Sequence, residues 1–320
     1  MTRLIARRAG FALLLVLTVT MSAAALVTVA PGDITSETFG SGASAETIAR
    51  ERARLGLDQP ASTRFAAWLQ RVLRLDFGRS FKYERPVAPL VIERARNTAV
   101  LGLVALLLGT ALGVPLGVIA AGSRHVWLRR AVATVSTLLL SLPPLVFALL
   151  LLFLALRTRV LPAGGMSAPG PDEAGWLVAG GDLARHLVVP SLALGLPLAA
   201  MIERLQARAL SESLREPFML AAAARGLPRR RLLWHHAFRH ALAPVLAVYG
   251  LVAGSLLGGS FIVEIVTAWP GLGRLTYDAL VSRDLNLAAG CAAAGAVILA
   301  VATLLSDVAL AFADPRSRDW

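Results

Sequence analysis

His236 and His240 stand four residues apart, a spacing that puts two imidazoles on one face of a helix, where they could serve as metal ligands. No glutamate follows in the HExxH order and no third ligand is evident, so the ligand count falls short of what zinc requires. A serine nucleophile fares no better, because Gly258, Ser260 and Ile262 miss the GxSxG elbow that would expose the hydroxyl on a sharp turn. A nucleotide-phosphate cradle is excluded more firmly. A P-loop needs glycine before its lysine and serine or threonine after it, and the single lysine of the chain, Lys82, stands between Phe81 and Tyr83. The single cysteine, Cys291, lies within an apolar run and rules out an internal disulfide or a cysteine metal site. No catalytic residue, cofactor or metal is therefore expected. Two ionisable residues near apolar stretches remain, Glu264 and Asp307. Charge is costly in lipid, which makes such groups default functional candidates. Glu264, near the outer end of its apolar run, could meet a solute or an extracytoplasmic partner, or mark a helix end at the membrane interface. Asp307 reads as paired with a neighbouring basic group.

The elements that position these residues are those of a membrane protein. Of 320 residues, 56% are hydrophobic and only 16% are charged, and the mean hydropathy is +0.66, far more apolar than a soluble domain. A net charge of +12 invites a nucleic-acid reading, but the arginines fall between apolar runs, where they orient helices in a bilayer. No nucleic-acid partner is expected.

Residues 11–30 form an apolar run preceded by Arg3, Arg7 and Arg8. It could be a signal peptide or a first spanning helix. A signal core is about 7 to 15 residues, whereas this run is long enough at about 1.5 Å per residue to cross about 30 Å of hydrocarbon, which favours a retained helix of residues 1–30 with its N-terminus inside. Residues 31–96 turn polar and read as a small extracytoplasmic cap with two amphipathic helices, in ETIARERARLGLDQP and FAAWLQRVLRLDFGRSF. Further spans are predicted over residues 97–121, 131–156, 186–205, 244–266 and 286–313, with a Gly/Pro-rich outer loop at 157–185. Gly109, Gly113 and Gly117 recur every four residues in the second span, and Gly250, Gly254 and Gly258 do so in the fifth, leaving grooves for close helix contact. Pro143 and Pro144 should bend the third. Arg124, Arg129 and Arg130 place one short loop in the cytoplasm, Glu203 and Arg204 mark the inner end of the fourth span, and Arg316 and Arg318 hold the tail of residues 314–320 inside. Six crossings with both termini cytoplasmic satisfy every short-loop charge bias.

Between the fourth and fifth spans lies a cytoplasmic loop, residues 207–243, whose part EPFMLAAAARGLPRRRLLWHHAFRHALAP is polar and basic. Pro217 suits a first helical position, Ala221, Ala222, Ala223 and Ala224 favour a helix interior, and Gly226 with Pro228 ends it. A helix this short is marginal alone and needs a docking surface. Phe218, Met219 and Leu220 are expected on its exposed face, which points to a surface on another protein. The AAAARG pattern, with Pro244 eighteen positions after Gly226, resembles the EAA loop of ABC-transporter permeases of the dipeptide/oligopeptide/nickel branch. At the position where that motif's name puts glutamate, this chain has Leu220. APGD, RLGLDQP, DFGRSF, SLPPLVFALLLLF, GGSFIVEIVTAWPGLGRL and the closing DPRSR resemble the same branch in the same order.

The resemblance implies an all-α membrane protein with six transmembrane helices: a MetI-like ABC permease core over residues 97–313, preceded by the N-terminal helix and cap. It implies that Pro217, Phe218, Met219, Leu220, Ala221, Ala222, Ala223, Ala224, Arg225 and Gly226 form the coupling helix that sits in a cleft of an ATPase subunit. Substitution at Ala222 or Gly226 should then uncouple transport without preventing insertion. Glu264 with Trp269, Pro270 and Gly271 in the outer loop would contact the pathway or a binding protein. The expected partners are a second homologous permease, two ABC ATPases, an extracytoplasmic solute-binding protein and membrane lipid, in the cell inner membrane. The expected function is translocation of a small solute, di- or oligopeptide foremost, powered by ATP hydrolysis in a separate chain. A self-sufficient secondary transporter or channel is the alternative, although paired broken helices and inverted halves are not evident in the sequence.

Overall fold

A computed structural model describes residues 2–29, 44–54, 58–72, 74, 76–167 and 176–313. The expected tail, residues 314–320, lies outside the described residues, as does most of the segment that links the first helix to the cap. Helices run in the order α1 (Thr2–Val29), α2 (Ala45–Arg54), α3 (Ala61–Val72), α4 (Val87–Gly122), α5 (Val126–Ser141), α6 (Pro144–Thr158), α7 (Trp176–Ser213), α8 (Pro217–Ala224) and α9 (Arg229–Arg231). A π-helical turn, π1 (Leu232–Ala237), then leads to α10 (Phe238–Ala247), α11 (Tyr249–Val266), α12 (Leu272–Val281) and α13 (Leu285–Ala313). Among the described residues α1, α4, α7, α11 and α13 are long and apolar enough to cross a membrane, and the pair α5 and α6 makes a sixth crossing if its halves count as one.

That pair is bent by 98°. The cause is local: Leu142 precedes Pro143, which precedes Pro144, and a residue before proline is pushed out of the α region into extended backbone. Leu142 (φ −102°, ψ 126°) and Pro143 (φ −60°, ψ 150°) are both extended, and Pro144 opens α6 at a position where its missing N–H costs nothing. The expected kink is therefore a full break.

Three boundaries differ from the sequence expectation. Helix α4 begins at Val87 rather than residue 97, because Val87, Leu90 and Val91 form a buried apolar stripe beneath the charged Glu93, Arg94 and Arg96. Helix α7 begins at Trp176 rather than residue 186 and runs past Glu203 to Ser213. Pro244 falls inside α10, and the fifth crossing starts only at Tyr249. Helix α12, within the outer loop, was not anticipated, although Leu272, Leu275 and Ala279 carry helical spacing and are buried.

The chain divides into two compact units. In the first, built mainly of Ala99–Trp269, α7 is the central helix: 67% of its apolar window is buried against 28% for α4 and 33% for α11. Helices α5, α6, α10 and α11 pack on it. Helix α4 reaches it through the glycine row read from the sequence. A Cβ placed on Gly109 would stand 2.7 Å from Leu198 Cγ, on Gly113 2.5 Å from the Ala199 carbonyl oxygen, and on Gly117 2.6 Å from Gln206 Cβ. No side chain fits there, so the backbones touch as small-residue packing requires. The second glycine row is filled only in part: a Cβ on Gly250 would meet Thr303 Cγ2 at 2.8 Å, but Gly258 has nothing within 4 Å.

The second unit comprises Ile5–Thr98 and Pro270–Ala300. Trp68 of α3 is 1% exposed in a cluster with Ala24, Leu285 and Ala289, while Val87 and Val91 pack with Leu272, Leu275, Ala279, Leu287 and Cys291. Asp284 organises the loops. Its Oδ2 accepts hydrogen bonds from Ser80 Oγ (2.6 Å), the Phe81 N–H (2.6 Å) and the Lys82 N–H (3.1 Å). Its Oδ1 accepts from the Leu287 N–H (3.1 Å) as the N-cap of α13. Its own N–H donates to the Ala279 carbonyl (2.9 Å) while Arg283, at φ 54°, donates to Leu280, which closes a Schellman motif at the end of α12.

Candidate functional site

The basic loop between α7 and α11 folds as the sequence signals direct. Glu216 is extended (φ −66°, ψ 144°), Pro217 opens α8, and Gly226 at φ +81° ends it, its N–H donating to the Ala223 carbonyl at 2.9 Å. That left-handed conformation has no steric penalty for glycine. Successive helical residues are about 100° apart, so Phe218, Met219 and Leu220 cannot share one face. The expectation that all three are exposed is corrected for Met219, which is 4% exposed and part of the first unit's core; Ala222, 2% exposed, is buried with it. Leu220 is 70% exposed, and Ala221, Ala223, Ala224 and Arg225 are exposed beside it. Phe218 is covered in part by the His240 ring, 5.4 Å away between centroids.

The loop is tied to the bundle at two further points that the sequence did not announce. Ser213 Oγ, at the end of α7, donates to the Ala237 carbonyl in π1 (3.2 Å), both buried. Arg229 Nη2 donates to the Gly122 carbonyl at the end of α4 (3.0 Å), and Leu233 packs so closely there that a Cβ on Gly122 would lie 3.0 Å from its Cδ2. These contacts fasten π1 to the end of α7 and α9 to the end of α4. Because Ala222 faces inward, an arginine there would collide with the chain's own core, and the expected uncoupling by that substitution would not isolate an outer surface.

The outer-loop candidates are not exposed as a group. Glu264, near the end of α11, has no solvent exposure, and Trp269 is also fully buried. Gly271 is buried and Pro270 half-buried in the second unit, where Asn97 Nδ2 donates to the Pro270 carbonyl (2.8 Å). Two polar residues of α7 are buried: Glu203, read as the inner end of a span, is 3% exposed, and Gln206, not singled out in the sequence, is 0% exposed. Glu203 Oε2 and both amide atoms of Gln206 have no hydrogen-bond partner among the described residues. Among those residues no group of three or more His, Cys, Asp or Glu gathers to hold a metal ion.

An apolar multi-helix fold with a two-faced short helix on a basic loop defines a multi-pass membrane protein. The family described as binding-protein-dependent transport system inner membrane component matches residues 113–319, and its N-terminal component matches residues 1–102. The chain belongs to this family, as an inner-membrane, multi-pass transport component of an ABC importer that works with ATPase and binding-protein partners. It is 33% identical to a probable peptide ABC transporter permease of Sinorhizobium fredii, over 92% of this chain and 92% of the relative. It is 31% identical to the dipeptide transport system permease protein DppB of Escherichia coli K12, over 99% of each. A structure described as the inward-facing MetNI methionine ABC transporter matches with TM-score 0.55 at 16% identity, covering 70% of this chain and 96% of that one, and shows the shared fold.

Proposed function

We propose that this chain moves di- or oligopeptides inward as one of two homologous permeases, with both termini and the α8 loop in the cytoplasm. The observation that carries the coupling role is the division of α8: Met219 and Ala222 fasten it to its own bundle, while Leu220 projects 70% exposed with the alanines around it. Small residues around one protruding apolar side chain suit insertion into a cleft of an ATPase subunit. Nucleotide then shifts the bundle between inward- and outward-facing states by its differential affinity for the two. The peptide substrate is supported by the names of the relatives, and the inner position of both termini by Arg3, Arg7 and Arg8 at one end and Arg316 and Arg318 at the other. Residues 97–313 act as the permease core, with residues 1–30 as an added crossing and residues 31–96 as the outer cap. Glu264 and Trp269 act from inside the bundle, where they shape the pathway wall, and Pro270 and Gly271 shape the outer surface offered to the binding protein.

The test is Leu220→Arg in the complete importer in proteoliposomes, with labelled dipeptide. Uptake should fall at least about tenfold while membrane insertion is unchanged, since a charge is placed in an apolar contact. Wild-type uptake by this variant would overturn the docking role. Accumulation by this chain in liposomes that hold no ATPase would overturn the importer reading in favour of a self-sufficient carrier.

A further inference from the structure

The bond from Arg229 to the Gly122 carbonyl joins two turns that have the same unusual composition. The first, the α4–α5 turn with the start of α5, carries Arg124, Arg129 and Arg130 with Trp127; the second, α9 with the start of π1, carries Arg229, Arg230 and Arg231 with Trp234. All six arginines are exposed, and none forms an ion pair with a carboxylate among the described residues. Trp127 is 69% and Trp234 47% exposed, with Trp234 resting at 5.7 Å on Phe238. In both segments an arginine and a tryptophan stand three residues apart, Trp127 with Arg130 and Arg231 with Trp234, and the first pair shares one face of α5.

We propose that these two turns form a site for an anionic phospholipid headgroup, the guanidinium groups holding its phosphate and the indoles seated at the glycerol level. The chemistry favours lipid over an acidic protein surface. The first segment follows Gly122, where an apolar crossing helix ends, the second is bonded to Gly122 through Arg229, and exposed tryptophan is the side chain that prefers the membrane–water boundary. Clustered arginines at that depth attract anionic lipid, and planar guanidinium matches phosphate in a bidentate manner. A lipid here would brace the Arg229–Gly122 contact at the base of the α8 loop.

The test is native mass spectrometry of the complete importer, titrated with phosphatidylglycerol and phosphatidylcholine of identical acyl chains. The wild type should retain phosphatidylglycerol in preference, and high salt should weaken the preference. R130Q/R231Q should lower retention of phosphatidylglycerol roughly 25-fold, at about fivefold per arginine removed, and leave phosphatidylcholine unaffected, while R130K/R231K keeps most of the binding. Equal retention by wild type and R130Q/R231Q overturns the site. So does unchanged lipid with loss of the ATPase subunit, which would assign the arginines to that partner. If R130Q/R231Q does not assemble, a wild type without any lipid preference still overturns it. The readout is lipid mass, so an importer that prefers phosphatidylglycerol but moves no peptide would refute the transport substrate and leave this site standing.

Discussion

Ser80 donates a 2.6 Å hydrogen bond to Asp284, 204 residues away in the chain, and the same carboxylate caps α13. One buried side chain thus fastens the Arg79–Lys82 turn to the α12–α13 junction. Removing it strands the Ser80 hydroxyl and the N–H groups of Phe81, Lys82 and Leu287 together. Asp284→Ala is expected to destabilise the second unit by at least about 3 kcal/mol, since each buried donor left alone costs about 1–3 kcal/mol. Cys291, the single cysteine and 2% exposed in that unit's core, is the probe: its labelling by a thiol reagent on heating should begin at a lower temperature in the variant. An unchanged labelling temperature would refute the role.

The second unit should also weaken at alkaline pH. Tyr83 donates to Asp278 at 3.0 Å, and burial first, then the negative charge of Asp278, push its phenol above the ordinary value of 10.0. A group whose folded value is raised contributes fully below its unfolded value and loses that contribution as pH rises through the folded one. The wild-type melting temperature should therefore fall more steeply above about pH 10 than that of Tyr83→Phe, which lacks the titrating hydroxyl. Parallel pH profiles for the two proteins would count against this.

Close approach of α4 and α7 depends on glycine. An alanine Cβ at position 113 would lie 2.5 Å from a backbone oxygen and 2.8 Å from Ile202 Cβ, so the helices must separate. Gly113→Ala is expected to cost about 1–3 kcal/mol of overpacking. Gly258→Ala, with nothing within 4 Å, should be near neutral in the same thermal assay. A gain for both, as the better helix propensity of alanine alone would give, would mean that contact does not govern position 113.

The sequence made the crossings legible because lipid imposes length and apolarity on a spanning helix, and Pro143–Pro144 announced a bend that the structure shows as a full break. It made α8 legible because both ends carry residues with special backbone geometry. It hid what depends on facing. Nothing in FML says which of three neighbours turns inward until α8 is docked, and Met219 was misplaced for that reason. Pairing across long separations was equally hidden: Asp284 is one acid among several until Ser80 is beside it. Helix ends were misread where charged residues such as Glu93, Arg94 and Glu203 interrupt an apolar run, because a helix continues through charge when its other face is buried.

Gln206 is the residue whose retention most needs a functional explanation. It is 0% exposed on the central helix α7, beside Gly117, with neither amide atom paired among the described residues. A buried polar group without a partner costs about 1–3 kcal/mol, and leucine has nearly the same volume without that penalty. Gln206→Leu should therefore raise the melting temperature of the purified subunit by about 2 °C or more. It should also slow solute uptake, because a destabilising amide kept in a packed core is the pattern of a group that acquires its partner in another state of the transport cycle. A lower melting temperature would show instead that the amide is already satisfied, by water or by an adjoining chain. Unchanged uptake in a stabilised variant would remove Gln206 from the transport mechanism.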